Sequence, residues 1–325
     1  MNPFSFTRAA DQASALSAGA GSGRYIAGGT TLVDLMREGV ETPSHVVDIN
    51  ALPLRDIRAH DDRLEIGALA RMADVAAHPD VVQLYPAISQ ALLLSASAQL
   101  RNMASMGGNL LQRARCAYFR DVTAACNKRM PGSGCPAREG ENRMHAVLGT
   151  SSACVATHPS DVAVALVAFD ASVRVASAAG ERRIGLEHFY ALPGETPHIE
   201  NALRPGELIV GIEVPAGAHT ARSTYLKVRD RQSYEFALVS AAVALIVEGG
   251  YVREARVAAG GVGTRPWRLR QVEQALAGKP PGRETFEAAA RWATVGAEPL
   301  AHNAFKLQLL PRAIVRALQS LGCGE

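Results

Sequence analysis

Residues 24–40, RYIAGGTTLVDLMREGV, hold a strand, a tight turn and a helix in immediate succession. RYIAGG is a short apolar strand ending in a glycine pair, and Leu32, Leu35 and Met36 follow at helical spacing. A glycine pair at that junction removes two Cβ atoms, so backbone N–H groups can approach an anion while the helix N-terminus adds partial positive charge. Gly28 and Gly29 fit that use, and Thr30 and Thr31 could add hydroxyl donors to phosphate. A second pair, Gly107-Gly108 followed by Asn109, stands in RNMASMGGNL (101–110) and could supply donors from a distant part of the chain. Such pairs more often form only tight turns. Neither has the G-x-G-x-x-G spacing, and no suitably placed acid follows on a second strand, which argues against a Rossmann NAD site.

Outward from this stretch the pattern alternates. SHVVDINAL (44–52) has the β-branched run of a buried strand, and LEIGALARMADVAAH (64–78) gives a strand, a glycine turn and an apolar-periodic helix. A helix rich in alanine and leucine is expected over Tyr85–Leu94. DVAVALVAFDASVRVAS (161–177) reads as a helix running into a strand, with a return strand or turn around Arg183 and Ile184, and ELIVGIEVP (207–215) as a strand closed by proline. Residues 216–222, AGAHTAR, are the best candidate linker. Beyond them YLKVRDRQSYEFALVSAAVALIVEGGYVREARVAAGGV (225–262) reads as strand, helix and strands, and helical stretches around 284–293 and 304–321 follow. The pattern is α/β or α+β, with a domain boundary near Ala221.

The 325 residues exceed the usual size of one core and point to two domains. A formal charge of +3 is spread without blocks of like sign, which disfavours nucleic-acid binding. No run approaches the roughly 18 apolar residues of a membrane span, and the opening residues lack the basic start and apolar core of an export signal.

Four of the five cysteines, Cys116, Cys126, Cys135 and Cys154, fall in one aperiodic segment broken by Pro131, Gly132, Gly134, Pro136 and Gly140. A loop of that length needs a function or a staple. Gaps of nine, eight and eighteen residues exclude a ferredoxin run of C-x-x-C pairs and an ordinary zinc ribbon. Two disulfides, a Cys₄ zinc site and a [4Fe–4S] cluster remain open on spacing alone. Arg113, Arg115, Arg120, Lys128, Arg129, Arg138 and Arg143 crowd the segment, and an anionic cluster would be stabilised by nearby cations. The plainer reading of these cations is a solvated basic face. His145 and His158 lie close by and are not assigned as ligands; Cys323 stands apart as a lone thiol.

Both glycine pairs, RNMASMGGNL and HPSDVAVALVAFDASV (158–173), together resemble the FAD-binding subunits of the xanthine dehydrogenase and molybdenum hydroxylase family. The resemblance spans essentially the whole chain. YLKVRDRQSYEFALVSAAVAL and AGGVGTRPWR are similar to parts of that family's C-terminal flavoprotein domain. The insertion from Arg115 to Asp161 resembles a segment that carries an additional [4Fe–4S] cluster in a minority branch. Bacterial periplasmic aldehyde oxidoreductases are the nearer members of that branch and 4-hydroxybenzoyl-CoA reductases the more distant.

The resemblance implies an α+β fold: a two-lobed FAD-binding domain (PCMH-type) over residues 1–221, with the [4Fe–4S] insertion at about 113–156. A smaller α+β C-terminal flavoprotein domain would cover 222–325. It implies FAD contacts from Arg24, Tyr25, Ile26, Ala27, Gly28, Gly29, Thr30, Thr31 and Leu32. Further contacts would come from Arg101, Ser105, Met106, Gly107, Gly108, Asn109 and Leu110, with Asp161 on adenosine or ribityl hydroxyls and Lys227 from the second domain. Cys116, Cys126, Cys135 and Cys154 would hold the cluster. The chain would then be an electron-transfer subunit with no catalytic acid or base of its own. A large molybdopterin-binding partner would oxidise aldehydes to carboxylic acids, a small [2Fe–2S] partner would relay electrons, and FAD would pass them to an external acceptor. Co-export to the periplasm with a signal-bearing partner is implied, with the cytoplasm as the alternative location. Three other readings stand beside this one: the same subunit in a reductive complex acting on an aromatic thioester, a non-redox Cys₄ zinc module, and a free-standing flavoprotein oxidase.

Overall fold

The computed structural model describes residues 1–21 and 23–322; Cys323 lies outside them. Three sheets organise these residues. β1 (Ser5–Arg8), β2 (Arg24–Ile26) and β3 (His45–Asp48) form a small parallel sheet in the order β1-β3-β2. β4 (Ile57–Ala59), β5 (Arg63–Gly67), β6 (Ser172–Ser177), β7 (Gly180–Gly185) and β8 (Leu208–Pro215) form an antiparallel sheet ordered β4-β5-β8-β6-β7. These two sheets are the lobes of the first domain. The third is antiparallel, β12-β11-β10-β9, from β9 (Ser223–Val228), β10 (Val239–Glu248), β11 (Tyr251–Gly260) and β12 (Trp267–Arg268).

One helix joins the two domains. All of Asp161–Ala168 is buried, and its side chains share a single core with Ile66 and Ile212 of the five-stranded sheet and with Ala242, Ala244 and Ala258 of the third. Its apolar residues run all round the axis, as in a helix with no solvent face. The second core lies on the other face of β10. There Val239, Ala241, Val243 and Leu245 meet the helices Arg283–Ala290 and Lys306–Gln319.

Two expectations are corrected by this arrangement. The helix expected within 225–262 is strand β10. A central strand covered on both faces has no period-two alternation, so its continuous apolar run mimics a buried helix. The turn that follows held the deciding signal: Gly249 and Gly250 have φ of 58° and 82°, as a tight hairpin between two strands requires. The proposed linker is packed rather than free. Residues Ala218–Ala221 form a helical turn in which His219 and Thr220 are buried, and the His219 ring lies 5.9 Å from that of Phe169.

The cysteine segment is largely irregular, with one short helix at Ala117–Arg120 and a 3₁₀ turn at Pro136–Arg138. Ion pairs seat it against the helix Leu32–Arg37 and the residues that follow: Arg115 to Asp34 at 3.4 Å, and Arg120 to Asp34 and, at 2.7 Å, to Glu38. Arg113 bridges Glu41 and Glu200 at 2.7 and 2.5 Å, and Lys128 joins Glu200 at 2.9 Å. No helix among the described residues is long and apolar enough to cross a membrane.

Candidate functional site

A groove of about 680 Å³ opens between the lobes of the first domain. One wall is the continuous run from Arg24 through Tyr25, Ile26, Ala27, Gly28, Gly29, Thr30 and Thr31 to Leu32; Ser105 and Gly108 stand beside it. The opposite wall is residues 198–201 and 203–207. No motif in the sequence marked that second wall; it is held by Tyr25, whose hydroxyl donates to the Gly206 carbonyl at 2.9 Å, and by Arg113 on Glu200.

The two glycine turns differ in what their N–H groups do. Among the described residues, those of Gly28, Gly29, Thr30, Thr31 and Leu32 donate to no protein acceptor, although they line the groove. A row of unpaired backbone donors needs an outside acceptor, either water or an anionic ligand. In the second turn the donors are already used. Met106 donates to the Ala70 carbonyl at 2.9 Å, Gly107 to Ala68 at 2.8 Å, Gly108 to Ser105 Oγ at 3.2 Å and Asn109 to the Ser105 carbonyl at 2.8 Å. The glycines also serve close packing. A Cβ on Gly28 would stand 1.9 Å from the Met103 carbonyl oxygen, so the first turn is pressed onto the approach to the second. Gly29 has φ of 71°, in the left-handed region that favours glycine.

Met106, Gly107 and Leu110 are buried beneath the groove rather than exposed to it. Asn109 faces inward as well: its Oδ1 accepts from Ser160 Oγ at 2.6 Å and its Nδ2 donates to Met72 Sδ at 3.3 Å. Since Ser160 Oγ also accepts from the Ala163 N–H, Asn109 ties the second turn to the start of the shared helix. Arg101 donates to the Ser95 carbonyl at 2.8 Å.

Asp161 and Lys227 meet as an ion pair of 2.8 Å, with the two side chains 7% and 1% exposed. The carboxylate also accepts from Tyr225 OH at 2.7 Å and Ser95 Oγ at 3.1 Å, while Lys227 donates to the Leu94 carbonyl at 3.1 Å. Burial, reinforced by the adjacent carboxylate, pushes the Tyr225 phenol well above its ordinary range, so it remains a donor. Every polar atom of the pair is therefore engaged by protein. The geometry is that of a tie between the first domain and strand β9.

The four thiols line a single recess together with Phe119, Lys128 and Ala137, and all four are free. Burial pushes Cys116 up to about 11, with Cys126 and Cys154 adding to the shift, and it raises Cys135 and Cys154 as well. Lys128 opposes the rise at Cys154 and Arg138 at Cys135. The other cations of the segment are occupied elsewhere: Arg113, Arg115 and Arg120 in the ion pairs above, Arg143 on Asp230, and Arg129 on the carbonyls of Tyr118, Phe119 and Ala124. Most of the basic crowding thus seats the insertion rather than facing its sulfurs. No group of three or more His, Cys, Asp or Glu side chains among the described residues is arranged to hold a metal ion. His145 Nε2 stands 3.1 Å from Cys116 Sγ. Burial, and then the charge of Lys306, hold this imidazole down to about 4.

A parallel lobe and an antiparallel lobe around an open groove, followed by a third, helix-backed sheet, define a two-domain flavoprotein module. Residues 2–217 match the FAD binding domain in molybdopterin dehydrogenase, and residues 224–321 match the CO dehydrogenase flavoprotein C-terminal domain. The chain belongs to the FAD-binding subunits of the molybdenum hydroxylase family. It is 48% identical over 300 residues to the aldehyde oxidoreductase FAD-binding subunit PaoB of Escherichia coli (strain K12), covering 91% of this chain and 90% of that one. It is 28% identical to subunit alpha of the 6-hydroxypseudooxynicotine dehydrogenase complex of Paenarthrobacter nicotinovorans, over 88% of this chain and 80% of the relative. The same fold is seen in the quinoline 2-oxidoreductase crystal structure from Pseudomonas putida 86, with a TM-score of 0.76 at 24% identity over 98% and 97% of the two chains.

Removing one member of a buried ion pair leaves the other charge uncompensated, at a cost of about 3–5 kcal/mol. Asp161→Ala is expected to lower the unfolding free energy by that amount, read from urea denaturation. Asp161→Ala combined with Lys227→Met is expected to cost less than Asp161→Ala alone, because no stranded cation remains.

Proposed function

We propose that this chain is the flavin- and iron–sulfur-bearing electron-transfer subunit of a molybdenum-dependent aldehyde oxidoreductase. The 48% identity to an aldehyde oxidoreductase FAD-binding subunit, along nearly the full length of both chains, carries the assignment. The partners would be a large molybdopterin-binding subunit, where aldehyde becomes carboxylic acid, and a small [2Fe–2S] subunit. When bound, FAD supplies the redox chemistry that collects electrons from these partners and delivers them to an external acceptor.

The groove suits the anionic part of FAD. Its five unpaired N–H groups from Gly28 to Leu32 would cradle the pyrophosphate, and the hydroxyls of Thr30 and Thr31 stand in the same wall. Residues of the second turn would act mainly by fixing that wall, through the contact of Gly28 with Met103 and the bonds of Ser105 and Asn109. Asp161 and Lys227 would hold the second domain against the first.

For the four cysteines we favour a [4Fe–4S] cluster. The supporting observation is that four free thiols from one irregular segment converge on one recess, with Lys128 and Arg138 as neighbouring cations. A single zinc ion would need all four sulfurs about 2.3 Å from one centre. A cluster spreads its ligands over four irons, so its four sulfurs stand further apart than those around one zinc ion.

Co-expression with the two partner subunits, followed by flavin, iron, zinc and molybdenum analysis, tests the assignment. The complex is expected to contain FAD and about four irons beyond those of the small subunit, and to oxidise aldehydes, whereas this chain alone does not. Stoichiometric zinc in place of the iron, or aldehyde turnover by the isolated chain, would refute it. Gly28→Ala places a methyl against the Met103 carbonyl, parting the two turns. It should weaken FAD binding about tenfold, or about 1.4 kcal/mol, read by flavin fluorescence on dilution. Cys135→Ser should lose the cluster iron and leave residues 116–154 open to proteolysis; unchanged iron content excludes Cys135 as a ligand.

A further inference from the structure

Cys116 and Cys154 each line a further cavity besides the thiol recess, and that of Cys116 is the larger. This second cavity of Cys116 has a volume of about 330 Å³, and in it Phe236 and Gly261 of the second domain face the first. His145 lines that same cavity, and its Nε2 is 3.1 Å from Cys116 Sγ. Among the described residues this is the only side-chain group within hydrogen-bond distance of any of the four sulfurs; Cys154, by comparison, receives the main-chain N–H of Ala156 at 3.5 Å.

The main chain of His145 is held in place from behind. The His145 N–H donates to the Asn142 carbonyl at 3.0 Å, and its carbonyl accepts from Lys306 Nζ at 2.9 Å and Asn303 Nδ2 at 3.2 Å. Lys306 donates as well to the Gly261 carbonyl at 2.6 Å, which fastens both walls of the cavity to one side chain. A neutral or protonated imidazole carries at least one N–H. Nδ1 is buried without a partner, so the acceptor that remains for that N–H is the sulfur beside Nε2.

On the cluster assignment made above, we propose that His145 is a positioning residue for the cluster, donating Nε2–H to the thiolate of Cys116 and thereby raising the reduction potential. Reduction adds one electron and makes the cluster more negative. A donor aimed at a ligand sulfur stabilises the reduced form more than the oxidised form, and hydrogen bonds to sulfur are among the factors that set such potentials. The bond lies on the side of the recess that faces the second cavity.

The test compares the full chain in wild-type form with His145→Leu and His145→Gln, measuring iron, FAD and the cluster midpoint by EPR-monitored redox titration. Both variants are expected to retain wild-type iron and FAD. The midpoint should move to more negative values in His145→Leu and return towards the wild-type value in His145→Gln, whose amide N–H can reach the same sulfur. An unshifted midpoint in His145→Leu, or equal shifts in both variants, would show that the ring only fills space and overturns the proposal. If His145→Leu sheds its iron, the wild-type protein decides the matter. With ¹⁵N-labelled histidine, pulsed EPR of the reduced cluster should show a coupled histidine nitrogen and an exchangeable proton that is lost in D₂O, and the absence of both overturns the proposal. Wild-type protein without cluster iron overturns the cluster assignment itself, and this inference with it.

Discussion

A carboxylate and an ammonium group removed from water cost several kcal/mol each unless their mutual attraction and added hydrogen bonds offset the loss. Asp161 and Lys227 meet that condition through Tyr225, Ser95 and the Leu94 carbonyl. The consequence extends well beyond the pair. Asp161 opens the helix that contributes to the shared core, and Lys227 lies on the strand that begins the second domain, so this contact sets how the two domains meet. Hydrophobic burial supplies most of the stabilisation there but is indifferent to direction. The polar tie supplies the direction.

A second dependency runs from the groove to the cysteine segment. The helix Leu32–Arg37 follows directly on the first glycine turn, and its carboxylate Asp34 receives Arg115 and Arg120 from the insertion. Glu41 and Glu200, both on the groove wall, share Arg113. These pairs are only partly exposed, which limits screening by salt. An irregular segment with little helix and no strand of its own is thus seated on the same elements that form the groove.

How much of this was visible in the sequence depended on whether a residue's role is set locally. The first glycine turn was legible because a strand, a turn and a helix follow one another without interruption, and the cysteine segment because proline and glycine break its periodicity. Strand β10 was not, because burial on both faces erases the alternation that marks a strand. The seven cations of the insertion suggested charge for a cluster, yet all seven have partners elsewhere: Arg113, Arg115, Arg120 and Lys128 on residues 34–41 and 200, Arg143 on Asp230, and Arg129 and Arg138 on backbone carbonyls. Residues 198–207 carry no motif, since their contribution to the groove is one of position. The identical-looking glycine pairs also diverge: only tertiary contacts show that the donors of one are free and those of the other spent.

That divergence bears on how a flavin site and a thiol site are kept in register. A turn whose donors are free can meet a ligand, but it has no internal bonds to hold its own shape. The second turn, fully bonded, supplies the rigidity: Gly28 rests against Met103 just ahead of it, and Asn109 carries the constraint on to Ser160 and the shared helix. Lys306 does the corresponding work in the second domain, fixing the His145 and Gly261 carbonyls at the cavity that Cys116 reaches. The bonded second turn and the Lys306 side chain thus each fix a wall that the free donors and the thiols face.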